Sequence, residues 1–265
     1  MKTSSHSFLR ILPLLAASLA LALPAPCQQP DLPDAPQPQN ADPDAATIRN
    51  TPRNILKDQE AIWTSPIHLN GTNAFGPVVL VLATTVLITT DHEVMSQHLL
   101  DKSMNDDASK ASNGLTGLFI AAPAVLFAAG KLRHGDQAVE TGILGGEAML
   151  DSLAVNYAMK AITMRERPTV NGAHGQFFQT HVGLDSSFPS NHAVLAWSSA
   201  AVIASEYPGF LTQLTAYTLA TGVSVTRIAA RQHFPSDVLV GSAVGWMIGR
   251  YVYHRHTRDQ SASDY

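Results

Sequence analysis

Cysteine is almost missing from this chain of 265 residues: Cys27 is the only one. A single thiol closes no intramolecular disulfide, so no framework of bridges holds the fold. Charge is scarce as well. Charged side chains make up 14% of the residues, where about a quarter is usual for a soluble domain. Basic residues number 17 against 21 acidic ones, a formal net charge of -4. That balance lacks the basic footprint of a nucleic-acid binder. Strand-like alternation of apolar and polar residues is absent, and so is any internal repeat. What abounds is apolar side chains, 45% of all residues. Mean hydropathy is nevertheless only +0.04, low for a chain mostly embedded in lipid.

The first residues account for part of the apolar excess. Lys2 and Arg10 flank the start, residues 11–23 are rich in Leu and Ala, and Ala25-Pro26-Cys27 offers small residues near a possible cut. Residues 1–27 therefore read as a secretory signal peptide. A lipobox at Cys27 is the rival reading, and Pro26 fits it poorly. Cleavage after Cys27 would remove Lys2 and Arg10, leaving 15 basic and 21 acidic residues, a net charge of -6, and no thiol nucleophile. Residues 28–73 read as a Pro-rich, largely disordered linker, with one amphipathic stretch near 55–67. Residues 74–256 hold the domain, and 257–265 form a tail.

Within the domain six apolar segments stand out, at 75–90, 114–130, 141–161, 191–206, 210–226 and 236–253. Each has helix length and is dominated by alanine, leucine and small residues. The expectation is an all-α fold with a six-helix core bundle. Gly142, Gly145 and Gly146 on the third segment would let helices approach closely.

Two rules disagree on a membrane. With a cleaved signal and six spans, three crossings put the ends of segments three and five in the cytoplasm. The cationic stretches Lys131, Arg133, His134 and His254, Arg255, His256, Arg258 argue the reverse by the positive-inside rule. Export of the whole bundle to the periplasm or cell envelope removes the conflict and is the expectation. An integral membrane protein with several spans is the alternative.

Three polar clusters interrupt the apolar pattern, each at a helix end. The first is KAITMRERP, with Lys160, Arg165, Arg167 and Pro168. The second is SFPSNHA, with Ser187, Pro189, Ser190, Asn191 and His192. The third is TRIAARQHFPSD, with Thr226, Arg227, His233 and Asp237. Lys160 and Arg167 lie two helical turns apart and would share a face if the helix persists that far. Arg227 adds a third cation, and Pro189 and Pro235 suit first turns of helices, whose free N–H groups attract anions. Three cations and two helix N-termini suit a dianion with many oxygens, and phosphate fits best. Beside a bound phosphate, His233 can attack phosphorus, with Asp237 holding its tautomer. His192 can protonate the leaving oxygen.

The three clusters, in this order and spacing, resemble those of the type 2 phosphatidic acid phosphatase / vanadium haloperoxidase superfamily. That pattern is Lys, six residues, Arg-Pro; then Pro-Ser-Gly-His; then Ser-Arg, five residues, His, three residues, Asp. The chain departs from it twice, with Asn191 for Gly and Thr226 for Ser. The resemblance implies phosphate-binding roles for Lys160, Arg167, Ser190, the Asn191 N–H and Arg227. It implies a nucleophile in His233, its partner in Asp237, and a general acid then base in His192. No metal and no cofactor is implied, although vanadate could occupy the phosphate site. Asn191 adds a side chain where Gly leaves room, and the expectation is retuned substrate access. The implied activity is a metal-independent phosphatase acting on a phosphomonoester or lipid (pyro)phosphate. The partner would be a phosphorylated small molecule or phospholipid, with membrane-surface contact and no nucleic acid. A vanadate-dependent haloperoxidase and a non-catalytic envelope binding module are the alternatives.

Other polar residues carry plainer expectations. Arg165, Glu166 and Arg231 read as ordinary ion pairing near the surface, and His174 and His181 as loop residues. Glu147 and Asp151, four apart, read as polar residues of the bundle rather than metal ligands. Trp197 and Trp246 read as packing residues.

Overall fold

The computed structural model describes residues 45–68, 71, 74–97 and 101–257. The expected signal peptide, the linker up to residue 44 and all but the first residue of the tail lie outside them. Among the described residues there are seven α-helices and no strand. They are α1 (Thr51–Thr64), α2 (Phe75–Ser96), α3 (Lys102–Arg133), α4 (Asp136–Thr163), α5 (Asn191–Glu206), α6 (Phe210–Ala229) and α7 (Pro235–His256). Helices α2 to α7 correspond to the six expected segments, several of them longer at one or both ends.

The seventh helix, α1, falls in the stretch that composition assigns to the linker. The amphipathic stretch read near 55–67 marks part of it, and it docks by buried polar contacts as well as by Ile62 against the core. Asn54 donates to Glu147 Oε1 (3.4 Å), Gln59 donates to Asp151 Oδ1 (2.8 Å), and His256 Nε2 lies 2.7 Å from Asp58 Oδ2. Asn54, Asp58, Glu147 and Asp151 are fully buried. Glu147 and Asp151 are thus bundle-polar residues that fasten α1 to α4.

Helix ends follow local chemistry. Asp101 caps α3, its carboxylate accepting from the Met104 N–H at 2.9 Å. Lys131 and Arg133 sit in the last turn of α3, where cations oppose the negative end of the dipole, and His134 ends it in the left-handed region (φ 56°). Met164 ends α4 in the same way (φ 40°). Pro235 opens α7 at its first position.

The core forms where α5 and α7 lie nearly backbone to backbone. Gly241, Gly245 and Gly249 make one stripe on α7, four residues apart, against Ser190, Val194 and Ser198 of α5. A Cβ on Gly241 would sit 2.8 Å from the Ser190 carbonyl oxygen, and one on Gly249 would sit 2.5 Å from that of Ser198. Of the glycines expected to permit close approach, Gly142 and Gly145 do so, against Phe127 and Pro123 of α3. Gly146 instead faces open space.

Helices α2 and α3 are both long and apolar enough to cross a membrane. On α2 only Asp91 and Met95 are buried, while Val81, Leu82 and Val86 are each more than 60% exposed. Phe210, Leu211 and Leu214 on α6 are also exposed. This apolar exposure is far beyond scattered surface residues and fits membrane association.

Candidate active site

The three polar clusters converge at one end of the bundle. Lys160 comes from the last turn of α4, Ser190 to His192 from the start of α5, and Arg227 from the last turn of α6. His233 lies in the loop before α7 and Asp237 in its first turn. Arg167 reaches the site from the loop after α4: the helix ends at Thr163, so it does not share a helical face with Lys160 as the spacing suggested. The groups are close enough to sense each other electrostatically. Lys160 feels Arg167, Asp237 and Asp185, and His192 feels Arg227, His233, Arg167 and Lys160.

His233 is buried, and its Nδ1 lies 2.7 Å from the Ser187 carbonyl oxygen. A carbonyl only accepts, so Nδ1 carries the proton and Nε2 keeps its lone pair. Asp237 is paired with His233 as the spacing suggested, its Oδ2 standing 3.6 Å from Nδ1, a longer approach than that of the Ser187 carbonyl. Burial pushes the His233 imidazole down to about 4, against the pull of Asp237. The ring is therefore neutral at neutral pH. Burial works against ionisation of Asp237 too, but His233 and the Arg165 guanidinium hold its carboxyl below the usual carboxylate range.

Asp237 is held on several sides. Its carboxylate accepts from the Phe234 N–H (2.8 Å), from Arg165 Nη1 (2.6 Å) and from the Ser187 hydroxyl. Arg165 is not the surface residue the sequence suggested. It is 1% exposed and also binds Asp91 Oδ2 at 2.8 Å. Asp91 further accepts from the Ser236 N–H at 3.2 Å. The start of α7 is thus occupied by two carboxylates of the protein itself. Of the two helix N-termini expected to serve phosphate, α5 alone is open. Its first intrahelical bond runs from Val194 N–H to Ser190 O (3.0 Å), so the N–H groups of Asn191, His192 and Ala193 have no acceptor within the helix. Pro189 precedes the cap of that helix rather than lying in its first turn.

Ser190 Oγ is buried and has no hydrogen-bond partner, and the same is true of Arg227 Nε. Each is a donor waiting for an acceptor. Lys160 Nζ donates to the Ser186 carbonyl, and burial, with help from Arg167, pushes its ammonium down to about 8. Arg167 currently holds an anion of the chain itself: Nη2 donates to Asp185 Oδ1 at 2.8 Å, and Nη1 to the Gln232 carbonyl at 3.2 Å.

The Asn191 side chain turns away from the site. Its Oδ1 accepts from Asn156 Nδ2, and its Nδ2 donates to the Tyr157 hydroxyl at 3.5 Å. The residue is helical, not left-handed, so tolerance of positive φ plays no part in its replacing Gly. Sequence reasoning missed Asn113 and Ser112 on α3. Asn113 Oδ1 lies 2.9 Å from His192 Nε2, and Arg227 Nη1 donates to both Asn113 Oδ1 and Ser112 Oγ at 3.4 Å. Arg227 fixes Asn113 Oδ1 as an acceptor, so His192 carries its proton on Nε2 and leaves Nδ1 free to accept. Burial, then Arg227 and His233, lower the His192 imidazole to about 3.

Among the described residues, seven helices bring a group of cations close to a neutral histidine. Residues 143–261 match the family model of the PAP2 superfamily. This span carries all three clusters; α1, α2 and α3 precede it. The chain is 35% identical over 72 residues to a lipid A 1-phosphatase of Porphyromonas gingivalis, covering 26% of this chain and 16% of that protein. The chain thus aligns with about a sixth of that curated relative's length. Among solved structures it is similar to a transmembrane PAP2 type phosphatidylglycerolphosphate phosphatase from Bacillus subtilis. The TM-score is 0.47 at 17% identity, over 67% of this chain and 94% of that one.

Proposed function

We propose that the chain is a membrane-associated phosphatase that releases inorganic phosphate from a lipid phosphate ester through a phosphohistidine on His233, without a metal. The observation that carries this reading is the tautomer of His233. With Nδ1–H given to Ser187 O, Nε2 of a neutral imidazole keeps its lone pair, Arg167 and Arg227 lie close enough to act on the ring, and the buried Ser190 hydroxyl has no partner. A nucleophile and the donors for a phosphoryl group therefore meet in one place.

The steps balance. Nε2 attacks phosphorus and forms the P–N bond as the ester P–O bond breaks. The leaving oxygen takes a proton from His192. Burial and the surrounding cations lower the His192 pKa to about 3 and keep it unprotonated. A bound phosphate monoester cancels those cations and brings a proton within reach of Nδ1. Neutral His192 then accepts a proton from water, whose oxygen attacks phosphorus and breaks the P–N bond. Lys160, Arg167 and Arg227 cover the charge on the equatorial oxygens, which is the work a metal does in other phosphoryl transfers. The lipid nature of the substrate is supported by the exposed apolar faces of α2, α3 and α6.

The test is phosphate release by the full chain in detergent with EDTA present, comparing phosphatidic acid with p-nitrophenyl phosphate. Release that survives EDTA, favours the lipid and is lost in His233→Ala is the expected result. The neutral imidazole is the active form, so kcat/KM should fall as pH drops through about 4. Abolition by EDTA, or full activity in His233→Ala, would overturn the mechanism.

A further inference from the structure

Helix α2 lies outside the span that matches the family, yet one of its side chains ends in the active site. Asp91 is 1% exposed and, with Met95, is one of the two buried residues on a largely uncovered helix. Its Oδ2 accepts from Arg165 Nη2 at 2.8 Å and from the Ser236 hydroxyl, and its Oδ1 from the Ser236 N–H at 3.2 Å. Arg165 spends its other arm on Asp237 Oδ1 at 2.6 Å and on Ser236 Oγ at 2.7 Å. Its Nε donates to the Gly175 carbonyl at 3.1 Å. The guanidinium lies 4.1 Å from the Phe234 ring centroid and 4.6 Å from that of Phe177. Gly175 (φ +60°) has no Cβ, and one there would fall 2.6 Å from the Phe234 ring. Arg165 thus makes four aimed hydrogen bonds, and its plane is clamped.

The division of the guanidinium between two carboxylates has an electrostatic consequence. An arginine facing one carboxylate prefers a two-pronged pair and neutralises it. Here Asp91 takes one prong, so Asp237 is bound through Oδ1 alone. Its Oδ2 remains for the Phe234 N–H, the Ser187 hydroxyl and the His233 ring. Two carboxylates against one guanidinium leave an excess of one negative charge beside His233. That excess is the charge needed when the imidazole becomes cationic on phosphorylation.

We propose that Asp91 and Arg165 are a positioning pair that fixes the orientation and residual charge of Asp237 and, through it, the nucleophilicity of His233. On this reading α2 is a part of the active site rather than an accessory span. The kinetic consequence rests on the phosphatase reading, while the structural consequence does not.

The test uses the full chain in detergent with two variants. Asp91→Asn keeps shape and removes one charge; Arg165→Lys keeps charge and cannot bridge two carboxylates. For both, kcat on phosphatidic acid should fall roughly 10- to 100-fold with KM within about twofold of wild type, as expected for a misplaced or discharged nucleophile. Thermal melting corrects each rate for the folded fraction. Imidazole 15N NMR, with His233→Gln identifying the signal, should show His233 titrating at lower pH in Asp91→Asn than in wild type. Unchanged kcat with unchanged His233 titration would sink the proposal. So would a rise in KM alone, or a rate loss wholly explained by unfolding. If the wild type releases no phosphate, the phosphatase reading fails, and the NMR comparison still decides whether Asp91 governs His233.

Discussion

Asp185 holds a place that a substrate phosphate would need. Its carboxylate sits on Arg167 at 2.8 Å with 80% of its side chain exposed. An exposed pair of this kind is worth only about 0–1 kcal/mol. A dianion entering the site can therefore displace it, at a small cost in affinity. Asp185→Asn should lower KM for the phosphorylated substrate by up to about fivefold and leave kcat nearly unchanged, since 1.36 kcal/mol is tenfold in an equilibrium. Steady-state kinetics reads this directly, and a raised KM would show that Asp185 instead positions Arg167 for binding. The gathering of the three clusters at one end of the bundle was legible because their residues keep a fixed spacing along the chain. Asp91 and Asn113 were not, because each reaches its partner across more than 70 residues and no local pattern announces it. Arg165 was misread for a related reason. A charge two residues from a loop arginine looks solvated until the fold shows two phenylalanines around it.

Helix packing places these residues, and the α5–α7 contact does most of it. The Ser190 N–H donates to the Asp237 carbonyl at 3.1 Å, so the two first turns are tied together at the site. That bond requires the glycine stripe on α7. A Cβ at Gly245 would collide with the Val194 carbonyl, a backbone atom that cannot step aside. Gly245→Ala should destabilise the protein by roughly 1–3 kcal/mol, the usual cost of overpacking, and depress activity at temperatures where the chain is still folded. Gly146→Ala is the control: nothing lies within 4 Å of its Cβ, and helix propensity alone should add up to about 1 kcal/mol of stability. Thermal melting of both variants in one detergent separates packing from propensity. Segment periodicity exposed six helices because each is a long apolar run. It could not separate the glycines of α4 that touch α3 from the one that does not. Of α1 it showed only an amphipathic stretch near 55–67, because much of that helix's hold on the bundle comes from Asn54, Asp58 and Gln59.

At the scale of the molecule, the apolar faces and the site bear on which side of a membrane the chemistry would face. Ser96 at the end of α2, Lys102 at the start of α3, Thr169 and Arg231 line one cavity of about 530 Å³, so the α2–α3 connection and the site share one end of the bundle. Lys131 and Arg133 close α3 at its other end. If α2 and α3 are two crossings, the positive-inside rule holds Lys131 and Arg133 in the cytoplasm and turns the site outward. A cleaved leader followed by one crossing at α2 turns it inward. The near absence of cysteine makes the choice measurable. With Cys27 replaced by Ser, single cysteines at Thr169 and Asp136, both exposed, can be labelled in intact cells with a membrane-impermeant maleimide. The expected result is labelling of Thr169→Cys and protection of Asp136→Cys, because two cations beside a helix end bias orientation more directly than a distant leader. Labelling at Asp136→Cys alone would place the site in the cytoplasm. Labelling of both, with the chain released by carbonate washing, would return the bundle to an exported, water-soluble state and leave the apolar face of α2 to be covered by something other than lipid.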